Sequence, residues 1–285
     1  APIAMALVGD LYKGGTESKA LGLTEASNGT GKVLSPIIGS LLSLLVWYAP
    51  FFAFPIFCLI AALSMIFLIK EPKKKKKKKA AALKKYLVNI GHIFKEKGRW
   101  LVTTFVAGAM ALFILFGILF YLSDILEKDP YKVHGVWKGL VLAIPLLGMV
   151  LTSYITGSLI KKDGVLIRRL MLIGLLLASL SYTTLIFFHE NIYVFIGLIT
   201  LGSVGTGLLL PCLNTMITGS IEKSERGMIT SLYSSLRFLG VAAGPPVFGW
   251  LMGISKQTIF ITVTGLAFAA LLLIFFLVKP NKEVA

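Results

Sequence analysis

Charge, cysteine and histidine are all scarce in this sequence. Only 15% of its 285 residues are charged, against about a quarter in an ordinary globular domain. The surface that meets water must therefore be small, and a typical soluble domain is excluded. Two cysteines, Cys58 and Cys212, both lie in apolar stretches, where a thiol behaves as a small hydrophobe. Neither a disulfide framework nor a metal site is expected. The histidines, His92, His134 and His189, fall in separate connections, and no nucleophile motif, phosphate loop or metal-ligand spacing accompanies them. A membrane enzyme such as an acyl- or glycosyltransferase would need a catalytic constellation near one interface, so the chain reads as a non-enzyme without a cofactor. No secretory signal peptide is visible, since the sequence opens with Ala1-Pro2 inside an apolar stretch and reads as cut at its start.

What the sequence has instead is apolar length. Hydrophobic residues make up 56% of it and the mean hydropathy is +0.84. The net charge of +16 would suit a nucleic-acid partner, but seven of the 29 basic residues form one run, Lys73 to Lys79, wedged between apolar segments. That placement marks the cytoplasmic flank of a membrane span, and no nucleic-acid partner is expected. Apolar stretches at 1–12, 20–47, 50–69, 100–123, 136–160, 168–188, 191–219, 228–251 and 257–278 read as spans, because about 20 residues of helix cross the hydrocarbon layer. The fold class is an all-α membrane protein of about nine transmembrane helices.

Cations set the orientation. Alternate connections hold Lys13 and Lys19, Lys70 through Arg99, Lys161 to Arg169, Lys223 and Arg226, and Lys279 and Lys282; the others, around Trp47, Ser123 to Lys138, His189 and Ser255, are poorer in them. The first set is expected to be cytoplasmic, which puts the C-terminus there in a multi-pass inner or plasma membrane protein. The lysine-rich stretch 70–98, weakly amphipathic around Leu83, Tyr86, Leu87 and Ile90, separates a front part, 1–69, from a back part, 99–285. It reads as a linker lying partly on the inner leaflet.

Front and back share a pattern. Pro2, Glu17, Gly31, Ser35-Pro36 and Gly39 recur as Pro211, Glu225, Gly240, Gly244-Pro245 and Gly249, at an offset of 208 to 210 residues. A helix, a charged turn and a Gly/Pro-rich helix thus occur twice, as two parallel transporter halves would produce.

On these residues the chain resembles the major facilitator superfamily, and within it the twelve-helix drug:proton antiporters. Their fifth-helix antiporter motif is matched by Gly22, Gly31, Ser35-Pro36 and Gly39-Ser40, with two glycines replaced by serine. Such small residues let two backbones approach, while a proline bends the helix. The resemblance makes 1–69 the family's helices four to six and 99–285 its helices seven to twelve. It also places roughly 110 residues ahead of Pro2 by repeat arithmetic, so helices one to three, the motif of the second cytoplasmic loop and the fourth-helix arginine are expected to be missing. Gly157 to Gly164 with Arg168-Arg169 is a degenerate back-half echo of that loop motif.

Ionisable groups at bilayer depth cost roughly 2.5–3.5 kcal/mol each on insertion scales, so each needs a reason. Glu25, Asn28 and Lys32 share one helix face by their spacing, with Lys32 some 22 Å from the cytoplasmic end. Arg237 is the repeat counterpart of Asn28. One reading has this face line a central cavity, with Glu25 carrying a proton beside Lys32 and Arg237 as an electrostatic partner; another is a buried ion pair that fixes helix register. Asn214 suits a substrate contact or an interhelical hydrogen bond equally, and Asp124 an outer mouth or a solvated helix end. Phe51, Phe52, Phe54, Phe57, Phe113, Phe116, Phe120 and Tyr121 suit a greasy cavity, lipid contact or packing. The resemblance implies proton-coupled efflux of small amphipathic or aromatic compounds by a monomer in the bilayer. Uptake of metabolites or sugars, and an inactive truncated remnant, are the alternatives.

Overall fold

The computed structural model describes residues 7–8, 11–12, 15–68, 83–160, 163–221 and 223–278. Its elements are all helical: α1 (Gly15–Ser43), α2 (Ala49–Leu68), α3 (Leu83–Glu127), α4 (Gly135–Leu159), α5 (Gly164–Phe187), α6 (Ile192–Ser220), α7 (Lys223–Met252) and α8 (Lys256–Leu277). Helix is the only open option for such a chain, because each backbone polar group in lipid must be satisfied within its own segment. The connections also supply stop and start signals. Asp163 accepts from the backbone N–H groups of Val165 and Leu166 ahead of α5, Asn191 from Tyr193 and Val194 ahead of α6, and Ser255 from Thr258 ahead of α8, each side chain capping otherwise unpaired donors.

Eight of the expected spans coincide with these helices. The ninth, 1–12, and the Lys73–Lys79 run lie largely or wholly outside the described residues. Five helices, the Gly98–Glu127 part of α3 with α4, α5, α6 and α8, are long and apolar enough to cross a membrane by composition alone, and α2 adds the shorter apolar stretch Ala49–Ser64. The charges of α1 and α7 dilute their apolar character. One boundary differs from expectation: the amphipathic end of the 70–98 stretch is not a separate connection but the first turns of α3, continuous with the span. No proline interrupts 83–127, and lysine, glutamate and leucine propagate a helix once it has begun.

Small residues hold the bundle together. A Cβ built on Gly22 of α1 would stand 2.6 Å from the Cα of Gly157 on α4, and one on Gly29 would stand 2.5 Å from Val150. Further along the same seam, a Cβ on Gly139 would meet the Pro36 carbonyl and the Ser40 hydroxyl at 2.7 Å. Gly174 of α5 and Gly205 of α6 likewise face each other's carbonyls. Lipid is as apolar as leucine, so close backbone approach and dispersion, not the hydrophobic effect, drive such contacts.

Three buried apolar clusters fill the bundle. One packs Leu101, Ile167, Met171, Leu213 and Ile274 near one end, and a second gathers Tyr121, Tyr182, Phe195, Phe248 and Phe260 toward the other. A third joins Val33 of α1 to Leu112 and Leu115 of α3, Leu146 and Met149 of α4, and Leu210 of α6. Pro36, Pro145, Pro211, Pro245 and Pro246 sit inside helices, tolerated because neighbouring helices re-satisfy the freed carbonyls.

A leucine at Gly22 has no room beside Gly157. Gly22→Leu is expected to destabilise the bundle by about 1–3 kcal/mol, read as a lower Tm in detergent, whereas Gly197→Leu, where a Cβ meets nothing within 4 Å, leaves Tm unchanged.

Candidate functional site

Polar residues of α1, α6 and α7 lie within one helical turn of residues in the third cluster. Val33 in it is adjacent in sequence to Lys32, Leu210 lies one turn before Asn214, and Val241, packed against its edge, lies one turn after Arg237. Lys32 reaches this apolar patch, formed by α1, α3, α4, α6 and α7, through Phe116, while Asn214 and Arg237 each stand one turn along their own helix from a residue of it. The side chain of Glu25 lies outside the described ones; its backbone belongs to α1, two turns before Lys32. Asn28 is half-buried on the turn between them.

Lys32 is half-buried with its Nζ withdrawn from solvent. Its ammonium stands 6.0 Å from the ring centroid of Phe116 on α3, the outer limit of an attractive cation–π geometry. This places a cation of the front part over an aromatic of the back part.

Arg237 is more deeply enclosed, at 5% exposure, and Asn214 is 1% exposed. The guanidinium donates from Nη1 to Asn214 Oδ1 at 3.3 Å and stands with Cζ 5.2 Å from the Tyr233 ring centroid. An amide oxygen and a ring face both meet positive charge with negative potential. This shell spreads a charge that would be costly to bury alone.

Tyr233 had no place among the candidate residues, although its position four residues before Arg237 is the spacing at which side chains on a helix meet. It is fully buried, lies 5.4 Å from the Phe105 ring, and rests where Gly108 leaves a notch, a Cβ there standing 2.9 Å from the phenol oxygen. Two further buried charges, Glu17 at 3% and Arg226 at 8% exposure, begin α1 and α7. Arg226 donates from Nη2 to the Ile221 carbonyl at 3.4 Å; Glu17 served the sequence reading only as a repeat mark.

The motif residues divide. Gly22 and the Pro36 carbonyl lie in the α1/α4 seam, and Gly240 and Gly244 press α7 onto α3, with a Cβ on Gly244 standing 3.0 Å from the Gly117 nitrogen. Pro245 is half-buried beside them. Gly31 and Gly39, expected in the same tight contact, meet nothing within 4 Å among the described residues. With the exposed Ser35 they border an open groove of about 370 Å³ between α1 and α2, closed on the far side by Ala53, Phe54 and Phe57. A seven-residue period explains the split: Gly22, Gly29 and Pro36 share the packed stripe, whereas Gly31, Ser35 and Gly39 fall on another face.

Of the eight aromatics singled out in the sequence, Phe116 meets the Lys32 ammonium. Phe113 packs on Phe248 at 5.6 Å and Tyr121 on Phe195 and Phe260, while Phe51, Phe52, Phe54, Phe57 and Phe120 are exposed. Asp124 pairs with Lys128 at 2.6 Å close to the end of α3, so it closes a helix rather than facing the patch. No group of three or more His, Cys, Asp or Glu residues that could hold a metal ion occurs among the described residues.

The geometry can hold buried positive charge beside an apolar surface, with Lys32 on α1 and Arg237 on α7. Comparison with known proteins shows the family. The Major Facilitator Superfamily model matches residues 1–133 and 131–285. The bacillibactin exporter of Bacillus subtilis (strain 168) is 42% identical over 285 residues, covering 99% of this chain and 70% of the exporter. The multidrug efflux protein YfmO of the same organism is 29% identical over 251 residues, covering 87% of this chain and 59% of that protein. Among solved structures, the human organic anion transporter MFSD10 (TETRAN) superposes with a TM-score of 0.74 at 20% identity, covering 96% of this chain and 67% of that one. The chain thus spans between 59% and 70% of the length of these proteins.

Removing the amide that meets Arg237 exposes the burial cost of the guanidinium. Asn214→Ala is expected to lower stability by about 1–3 kcal/mol, measured by thermal unfolding in detergent, with Ser235→Ala, an exposed position on the same α7, as the neutral comparison.

Proposed function

The chain belongs to the Major Facilitator Superfamily, a family of membrane transporters, and on that premise we propose that it is a secondary active transporter exporting small amphipathic or aromatic compounds in exchange for protons. The observation that carries the proposal is the burial of Arg237 against Asn214 between α7 and α6, with Lys32 set against Phe116 at the apolar patch shared by α1, α3, α4, α6 and α7. Charge at that depth is retained at a cost only where it does work. The direction of transport is supported by the names of the relatives, an exporter and an efflux protein.

In this proposal residues 1–69 belong to a front bundle, 70–98 connect it to the back bundle along the inner leaflet, and 99–285 form that second bundle. The two halves rock about the α1/α4 seam, exposing the patch to each side of the membrane in turn. An aromatic or greasy substrate rests on Phe116 and the apolar cluster. Glu25 takes up and releases the proton, Lys32 and Arg237 bias its charge state, and Asn28 and Asn214 orient polar groups of the substrate. A carboxylate relieved of its charge by protonation crosses the low-dielectric stage of the cycle at lower cost than an ionised one, which is the physical basis for coupling. The protein acts as a monomer, with its C-terminus on the cytoplasmic side where the basic connections lie.

Glu25→Gln in the full-length protein is expected to abolish proton-driven efflux of a fluorescent aromatic dye while membrane insertion stays normal; unchanged efflux removes Glu25 from the mechanism. A tag at Ala285 should be reached by protease only after the cytoplasmic face is opened, and cleavage in intact cells would reverse the proposed orientation.

A further inference from the structure

The stripe of α7 that faces α3 runs Tyr233, Arg237, Gly240, Gly244 and Phe248, at helical steps of three and four. Four of these five positions are neutral and closely fitted: Tyr233 in the notch of Gly108, Gly240 on the Ala109 backbone, Gly244 on Gly117, and Phe248 against Gly117 and Phe113. The fifth carries a guanidinium at 5% exposure. Its long side chain would have many rotamers open to it in a cavity, yet its surroundings leave little room. The Tyr233 ring lies 5.2 Å from Cζ, and Asn214 Oδ1 accepts from Nη1 at 3.3 Å. The ring is itself held, by Phe105 on one side and the missing Cβ of Gly108 on the other.

We propose that Tyr233 is a positioning residue for transport: seated in the Gly108 notch, its ring and the Asn214 amide hold the Arg237 guanidinium in one orientation beside the apolar patch. This rests on the reading above that Arg237 takes part in transport. A charge fixed in direction acts on a substrate or a neighbouring acid without reorganising at each cycle, whereas a mobile arginine would be screened by its own motion. Gly108, which leaves room for the ring, is therefore a steric condition of the site. The ring face supplies the effect, so phenylalanine can replace tyrosine and an aliphatic residue cannot.

The test is a double-mutant cycle on proton-driven dye efflux by the full-length protein, with KM and Vmax measured separately and the amount of monodisperse protein checked for each variant. Tyr233→Leu is expected to lower Vmax about tenfold, Tyr233→Phe to restore it to within about twofold of the parent, and Tyr233→Leu with Arg237→Gln to be no worse than Arg237→Gln alone. Gly108→Ala, which displaces the ring without removing it, should reproduce the loss and serves if Tyr233→Leu does not insert. Parent-like Vmax in Tyr233→Leu or in Gly108→Ala, no rescue by phenylalanine, or losses that simply add would overturn the positioning role. Parent-like efflux in Arg237→Gln would instead remove Arg237 from transport, and no efflux by the parent would remove the transport reading itself; the positioning role falls with either.

Discussion

Close backbone approach through small residues is the constraint on which this bundle depends. In water, a helix gains by hiding its apolar face; in lipid that gain vanishes, and what remains is dispersion between well-fitted surfaces and hydrogen bonds between helices. The Gly22/Gly157 contact, the Gly139 seat against Pro36, the Gly174/Gly205 pair and the Gly240 and Gly244 contacts with α3 each bring two helices nearer than any side chain would permit. Remove one, and no leucine elsewhere supplies the missing attraction.

The same closeness makes the buried polar groups tolerable. Arg237 lies in a closely fitted stripe, with Asn214 and Tyr233 against its guanidinium. Lys32 crosses from α1 to the Phe116 ring on α3. Lys32 thereby links α1 to α3, and Arg237 links α7 to α6. The internal repeat shows how differently one pattern can be used: Gly240 and Gly244 are covered by α3, while Gly31 and Gly39 border an open groove beside α2.

The helical class and most boundaries of the described helices were legible in the sequence because they follow from local quantities. Twenty apolar residues between polar connections define a span without reference to any neighbour, and Asp163, Asn191 and Ser255 mark helix starts by side chains that cap their own backbone. The offset between Pro2 and Pro211 needed only counting. The start of α3 was less legible, since an amphipathic segment that is helical by itself carries no mark of where it joins a span.

The sequence by itself determined that the chain crosses a membrane repeatedly, which connections carry the cations, and that the charges of Lys32 and Arg237 lie far from any helix end, where burial is costly. Only the tertiary structure decided which residues meet. Gly108 and Tyr233 are 125 positions apart, and nothing local in either says that one is a notch for the other. Likewise a glycine in α1 reads the same at 22 and at 31, yet helical phase turns one to α4 and the other to an open groove. Partner choice depends on the rotation of each helix about its axis, and that rotation is set by the fit of all its neighbours together.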